Sequence, residues 1–249
     1  MAIPARTAPM SSDRRTAFLG GVLYLVTFAA SIPAAFYFLD PVLSDPTYVL
    51  GSGADTRVLT GGLLDVVNAF ACIGTAVVLF RVLKRQNETL AIGFITSRVL
   101  EAAIISVGVV SLLAVVSLRQ DMAGADEASL TAVGAALVAV RDLTFDIGPG
   151  VMAGVNALLL GTLMYRSGLV PRTIPLMGLV GAPLLIAAKV ATIFGVNDDT
   201  TVWSLVALAP IFLWELSLGL WLTFKGFRAS PVTSGAVPSS DRTPELSPA

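Results

Sequence analysis

Ser97-Arg98-Val99-Leu100-Glu101 interrupts an otherwise apolar run from Leu90 to Leu118. That run exceeds the roughly 20 residues that cross about 30 Å of hydrocarbon at 1.5 Å per residue, so it reads as a membrane span. Two full charges three positions apart then share one helix face at bilayer depth. Each costs about 3 kcal/mol there even on the mildest scale, unless a partner faces it. The fold is therefore expected to be organised around hiding these groups.

The rest of the chain agrees with a membrane assignment. Of its 249 residues, 55% are hydrophobic and 13% charged, and the mean hydropathy is +0.82. Soluble domains carry about 25% charged residues. The net charge of −1 gives no sign of a nucleic-acid partner. Histidine is absent, which removes His-ligated haem, His-bearing metal sites and Ser/His or Cys/His catalytic pairs. Cys72 is the single cysteine. It excludes an intrachain disulfide and reads as a small core residue.

Working outward gives six apolar runs: Ala17–Leu39, Val58–Leu83, Leu90–Leu118, Leu143–Tyr165, Thr173–Val196 and Thr201–Phe224. The fourth is expected to begin outside the membrane near Ser129 and to bend at Pro149. The first is too long for the apolar core of about 7–15 residues in a secretory signal, so it reads as an uncleaved helix. Residues 1–15 and 228–249 are polar and Pro/Ser-bearing, and are expected to be disordered around a transmembrane domain over 16–227. Strands are excluded, because barrel spans are half as long and strictly alternating. The fold class is all-α, a bundle of six transmembrane helices.

Basic residues cluster at Arg14-Arg15, at Arg81, Lys84 and Arg85, at Arg166 and Arg172, and at Lys225 and Arg228. The intervening loops carry mainly acids, including Asp198-Asp199. Basic loops stay cytoplasmic, which places both termini inside.

The charges within the spans fall into two layers by depth. Arg98 lies roughly 10 Å from the cytoplasmic end of its helix at helical rise. Glu101, Glu215, Asn68 and Asn156 lie close to the same depth. The outer layer is Asp65, Arg141, Asp142, Asp146 and Lys189, with Asp55 and Arg57 as further candidates. Each layer mixes signs, as mutual neutralisation requires. Intramembrane ionisable groups mark ligand or proton sites. They also fix which helix packs on which. Both readings stand at this point. Depth and sign predict that Arg98 meets Glu101, Glu215 or both, and that Lys189 meets Asp65 or Asp146. Gly150-x-x-x-Gly154, and Gly178 with Gly181, predict close helix packing. Pro183 and Pro210 are expected at kinks or turns.

The blocks Gly53-Ala54-Asp55-Thr56-Arg57-Val58-Leu59, Ile73-Gly74-Thr75-Ala76-Val77, Arg98-Val99-Leu100-Glu101-Ala102, Gly148-Pro149-Gly150 and Trp214-Glu215-Leu216-Ser217-Leu218-Gly219 resemble a bacterial membrane family known only as domain of unknown function 4386. The resemblance runs from about Arg14 to Phe227. It implies a six-span protein of the cytoplasmic (inner) membrane and supplies no mechanism. Arg81 stands where relatives are expected to carry Pro, and Arg141 where His is frequent. The second departure removes any mechanism that rests on a histidine there.

Three classes of function follow. The first binds or moves a small molecule or ion through a polar cavity in the membrane. Six spans without a clear inverted repeat are few for a transporter acting alone, so this class would need a homodimer or a diverged repeat. The second is a structural or interaction protein whose buried charges only fix helix packing. The third is an enzyme, which the absence of histidine, of Gly-x-Gly-Asp and of paired glutamates argues against. No cofactor is expected. An acid-only metal site of Asp65 and Asp146 is the one metal arrangement the residue types leave open. The lipid bilayer is the partner the composition demands.

Overall fold

The computed structural model describes residues 11–51, 53–122 and 126–234. Among these there is no strand, and six helices are long and apolar enough to cross a membrane. The elements are α1 Ser12–Pro33, α2 Asp40–Ser44, α3 Asp55–Leu83, α4 Glu88–Asp121, α5 Glu127–Phe145, α6 Ala153–Ser167, α7 Thr173–Ile193 and α8 Val202–Phe224. Two π-helical turns join them, Ala34–Phe38 after α1 and Asp146–Met152 between α5 and α6. The protein is an integral membrane protein, and its spans are α1, α3, α4, the continuous α5–α6 unit, α7 and α8.

The helix ends follow capping chemistry. The side chains of Asn87, Asp126 and Thr201 accept from backbone amides in the first turns of α4, α5 and α8. Gly168 ends α6 at φ 66°, the left-handed conformation that glycine adopts without a Cβ penalty.

Several boundaries depart from expectation. The helix α1 starts at Ser12, capped by Ser11 Oγ accepting from the Arg14 amide at 3.3 Å, within the segment expected to be disordered. The Arg14 guanidinium then donates to the carbonyls of Leu222, Thr223 and Phe224 at the end of α8. These carbonyls have no partner inside their own helix. The chain after α8 also docks, through Arg228 N to Leu169 O at 2.8 Å and Ser230 Oγ to Ser167 O at 2.6 Å. Residues 1–10 and 235–249 lie outside the described residues. The expected bend at Pro149 is a π turn, and Pro33 directly precedes the other. Proline removes one helical hydrogen bond and crowds the preceding turn, which a widened turn accommodates. Pro183 and Pro210 lie inside α7 and α8.

The spans close into a ring in the order α1, α3, α4, α6, α7, α8 and back to α1, with α5 packed outside on α4. Its largest core cluster includes Tyr24, Leu79, Phe94, Leu160, Leu185, Trp214 and Leu218. Glycine sets the closest approach. A Cβ on Gly178 would lie 2.8 Å from the Trp214 ring, so α7 and α8 meet at a distance only hydrogen permits. A second cluster, with Leu39, Val42, Tyr48, Val49 and Val115, fills the far end.

Candidate functional site

Arg98 on α4 is 3% exposed and lies among residues from most of the ring. Its Nη1 donates to Glu101 Oε2 at 2.9 Å, one turn on, and to Cys72 Sγ of α3 at 3.5 Å. Its Nη2 donates to Glu215 Oε1 of α8 at 3.0 Å and to Tyr24 Oη of α1 at 2.9 Å. Asn156 of α6 donates through Nδ2 to Glu101 Oε2 at 2.7 Å. Asn68 joins through Cys72, whose thiol donates to Asn68 Oδ1 at 3.8 Å. The Tyr24 and Phe94 rings stand 5.2 and 5.7 Å from the guanidinium carbon. Five of the six ring helices thus each supply a polar side chain; α7 supplies none.

The predicted meeting of Arg98 with Glu101 and Glu215 is found, with both. The helices α4 and α8 do not pack extensively; the guanidinium bridges them. Asn156 and Asn68 also join, as their depth predicts. Tyr24 and Cys72 were not among the candidates. Each lies in an apolar run and carries no charge, and only Tyr24's hydroxyl at mid-span could have given it away.

The cluster is closed and almost saturated. The side chains of Arg98, Glu101 and Glu215 are 3%, 5% and 19% exposed, so Glu215 is the least covered of the three. Arg98 Nε, Asn156 Oδ1 and the neighbouring Ser97 Oγ are buried without a partner among the described residues. One guanidinium faces two carboxyls. In low dielectric the set is neutral only with one proton added to the acids.

The outer layer divides into separate groups. Lys189 of α7 donates to Asp146, in the π turn, at 2.8 Å and to Asp199, in the α7–α8 loop, at 2.7 Å. A Cβ on Gly150 would lie 2.8 Å from Lys189 Cγ, so this glycine is where the lysine stem crosses the π turn. Lys189 pairs with Asp146, as predicted, and Asp65 is not its partner. Asp65 is half-buried on α3 and forms no hydrogen bond or ion pair among the described residues. Arg141 is buried against Phe145, its guanidinium carbon 4.4 Å from the ring centre, with no carboxylate within ion-pair distance among the described residues. Asp142 is exposed, contrary to its place in the predicted layer, because adjacent positions on a helix point about 100° apart. Asp146 is held by Lys189, which leaves no acid-only metal pair with Asp65.

A further group caps the same end. Asp55 accepts from Arg119 Nε at 2.8 Å, from Gln120 Nε2 at 2.8 Å and from Tyr48 Oη at 2.8 Å, and pairs with a second Arg119 nitrogen. Burial, together with the bond to Asp55, pushes the Tyr48 hydroxyl above its ordinary range. Arg57 turns away to Tyr37 O at 2.7 Å and stacks on the Tyr37 ring.

No curated protein and no solved structure matches the chain. A family model described as "Domain of unknown function (DUF4386)" matches residues 19–226, a stretch that includes every member of the central cluster. The chain belongs to that family.

Proposed function

We propose that the protein binds or moves an ion through its intramembrane polar cluster, and that the ion is a proton carried on Glu215. The observation behind this is the charge count at the centre of the ring: one guanidinium, two carboxyls and no further charge among the bonded groups. A proton needs no cavity, and neither of the two best-formed cavities touches this cluster. Glu101 is held by Arg98 and Asn156. Glu215 has one partner against the two of Glu101, which makes it the exchangeable member. Arg98 Nε and Asn156 Oδ1, a donor and an acceptor within the same cluster, are buried without a partner among the described residues. Intramembrane carboxyls of this kind form proton relays in pumps and transporters.

The test is infrared spectroscopy of the protein in lipid. A protonated-carboxyl band that titrates with pH and vanishes in Glu215→Gln is expected. A cluster with no such band at any pH would leave a structural lock as its role. That second reading is favoured by the near-complete burial and pairing of the group. In this proposal the basic end of the bundle lies in the cytoplasm of a bacterial inner membrane. Reporter fusions after Gln86 and after Asp198 are expected to give opposite signals; matching signals would overturn the orientation.

A further inference from the structure

Four segments meet at the end of the bundle opposite the Lys189 and Asp55 groups. They are the start of α1, the α3–α4 turn, the α6–α7 turn and the chain after α8. Between the start of α1, the α3–α4 turn and the chain after α8 lies a cavity of about 580 Å³, within the range of ligand sites. Three arginines line it, Arg14, Arg85 and Arg228, with the hydroxyls of Ser11, Ser12 and Thr233.

The arginines are not equally committed. Arg14 is locked by the three carbonyls that end α8. Arg85 makes only long bonds, 3.4 Å to Asp13 and 3.4 Å to Val232 O. The Arg228 side chain has no hydrogen-bond partner among the described residues and is exposed. Among the described residues Asp13 is the single acid in the wall, against three arginines. The first residues of α1, Ser12 to Arg14, line the same space, and the N-terminal end of a helix dipole favours an anion. Directly below, Phe18 lies 6.0 Å from the Arg14 guanidinium carbon, and Phe18 and Phe224 are exposed hydrophobics at this end. Apolar rings beneath a ring of cations place the cavity at the depth of the lipid phosphates.

We infer that this cavity is a binding site for a phosphate group, carried by an anionic phospholipid headgroup or by a small soluble phosphate. Arg85 and Arg228 grip its oxygens, and the serine hydroxyls and the start of α1 complete the cradle. Guanidinium forks match phosphate geometry, and a charge-assisted bond is roughly twice as strong as a neutral one. The volume exceeds that of a bare phosphate ion and suits a headgroup.

The test uses the full chain in nanodiscs of phosphatidylcholine with phosphatidylglycerol, and native mass spectrometry of lipid retained on the folded protein. The double variant Arg85→Gln/Arg228→Gln is compared with Arg166→Gln/Arg172→Gln, which removes equal charge from the same end outside the cavity. The first pair is expected to lower phosphatidylglycerol retention at least about tenfold, since a hydrogen bond to a charged group contributes on the order of tenfold in affinity. The second pair is expected to leave it nearly unchanged. If retention is the same in all forms but inorganic phosphate raises the melting temperature of the wild type and not of the cavity variant, the site takes soluble phosphate. Equal losses from both pairs would reduce the effect to surface potential and overturn the site. So would the absence of both effects.

Discussion

Arg98 and Arg119 stand on the same helix, about 30 Å apart along its axis at 1.5 Å per residue. Each bonds to carboxyl groups, and each lies beside a tyrosine. Their settings differ. Arg98 draws on α1, α3 and α8 as well as its own helix, faces two acids and lies 3% exposed at the centre of the ring. Arg119 joins the end of α4 to the start of α3 and the loop before it, faces one acid with Gly51 O and Tyr48 nearby, and is 16% exposed near the helix end. The same chemistry therefore does two jobs. At the end of the bundle a balanced pair fastens a loop. At the centre one cation between two carboxyls ties five helices together.

The largest expected effect tests the central half of that contrast. Arg98→Ala strands Glu101 and Glu215 in low dielectric and is expected to cost roughly 3–5 kcal/mol if the pair is dry. Replacing Arg98 and both glutamates by apolar residues of similar size should recover that stability, because no buried charge is then left alone. Unfolding in mixed micelles measures both. If the triple variant stays as unstable as Arg98→Ala, the cost comes from lost packing and not from a stranded charge. A stable triple variant also separates the two functional readings: a structural lock predicts that it rescues the phenotype of a deletion, and a proton site predicts that it does not.

Arg119→Ala should cost less, about 1.5 kcal/mol, the scale of one hydrogen bond to a charged group. Asp55 keeps Tyr48 and Gln120 as donors and can be rehydrated at the interface. A loss as large as that of Arg98→Ala would remove the distinction between the two ends of α4.

This contrast was half legible in the sequence. Counting residues from the helix ends placed Arg98, Glu101, Glu215 and Asn156 at one depth, and opposite signs at one depth in hydrocarbon must find each other. The same argument found Lys189 with Asp146. It failed where depth does not decide contact. Asp142 shares a depth with Arg141 but not a face. Asp65 has the right depth and sits on α3, away from α7. Asp199 enters because a loop folds back, and Arg119 meets Asp55 because two loops converge; neither follows from periodicity. Tyr24 and Cys72 were hidden for a different reason: uncharged side chains in apolar runs impose no visible cost. Pro149 marked an irregularity, but a sequence position does not say whether proline bends a helix or widens one turn of it.

The smallest effect is expected at the outermost charge of this kind, Asp126, the cap of α5. Its Oδ2 accepts from the Ser129 hydroxyl at 2.7 Å and from the Ser129 amide at 2.9 Å. These bonds hold the Asp126 carboxyl below its ordinary range, the hydroxyl contributing most. A carboxyl lowered by folding contributes stability that is present above its unfolded pKa and is lost as pH falls through the folded value. The first turn of α5 should therefore fray in acid, below about pH 4, the ordinary range of an aspartate. Asp126→Asn keeps an acceptor oxygen but cannot titrate, so it should retain the cap and flatten the pH dependence. Asp126→Ala should fray at every pH. Exchange of the Ser129 amide, corrected for its intrinsic rate, reads this directly. Equal protection in Asp126→Ala and wild type would show that packing of Leu130, not the cap, holds the turn. Acid fraying that persists in Asp126→Asn would assign the pH dependence to another group.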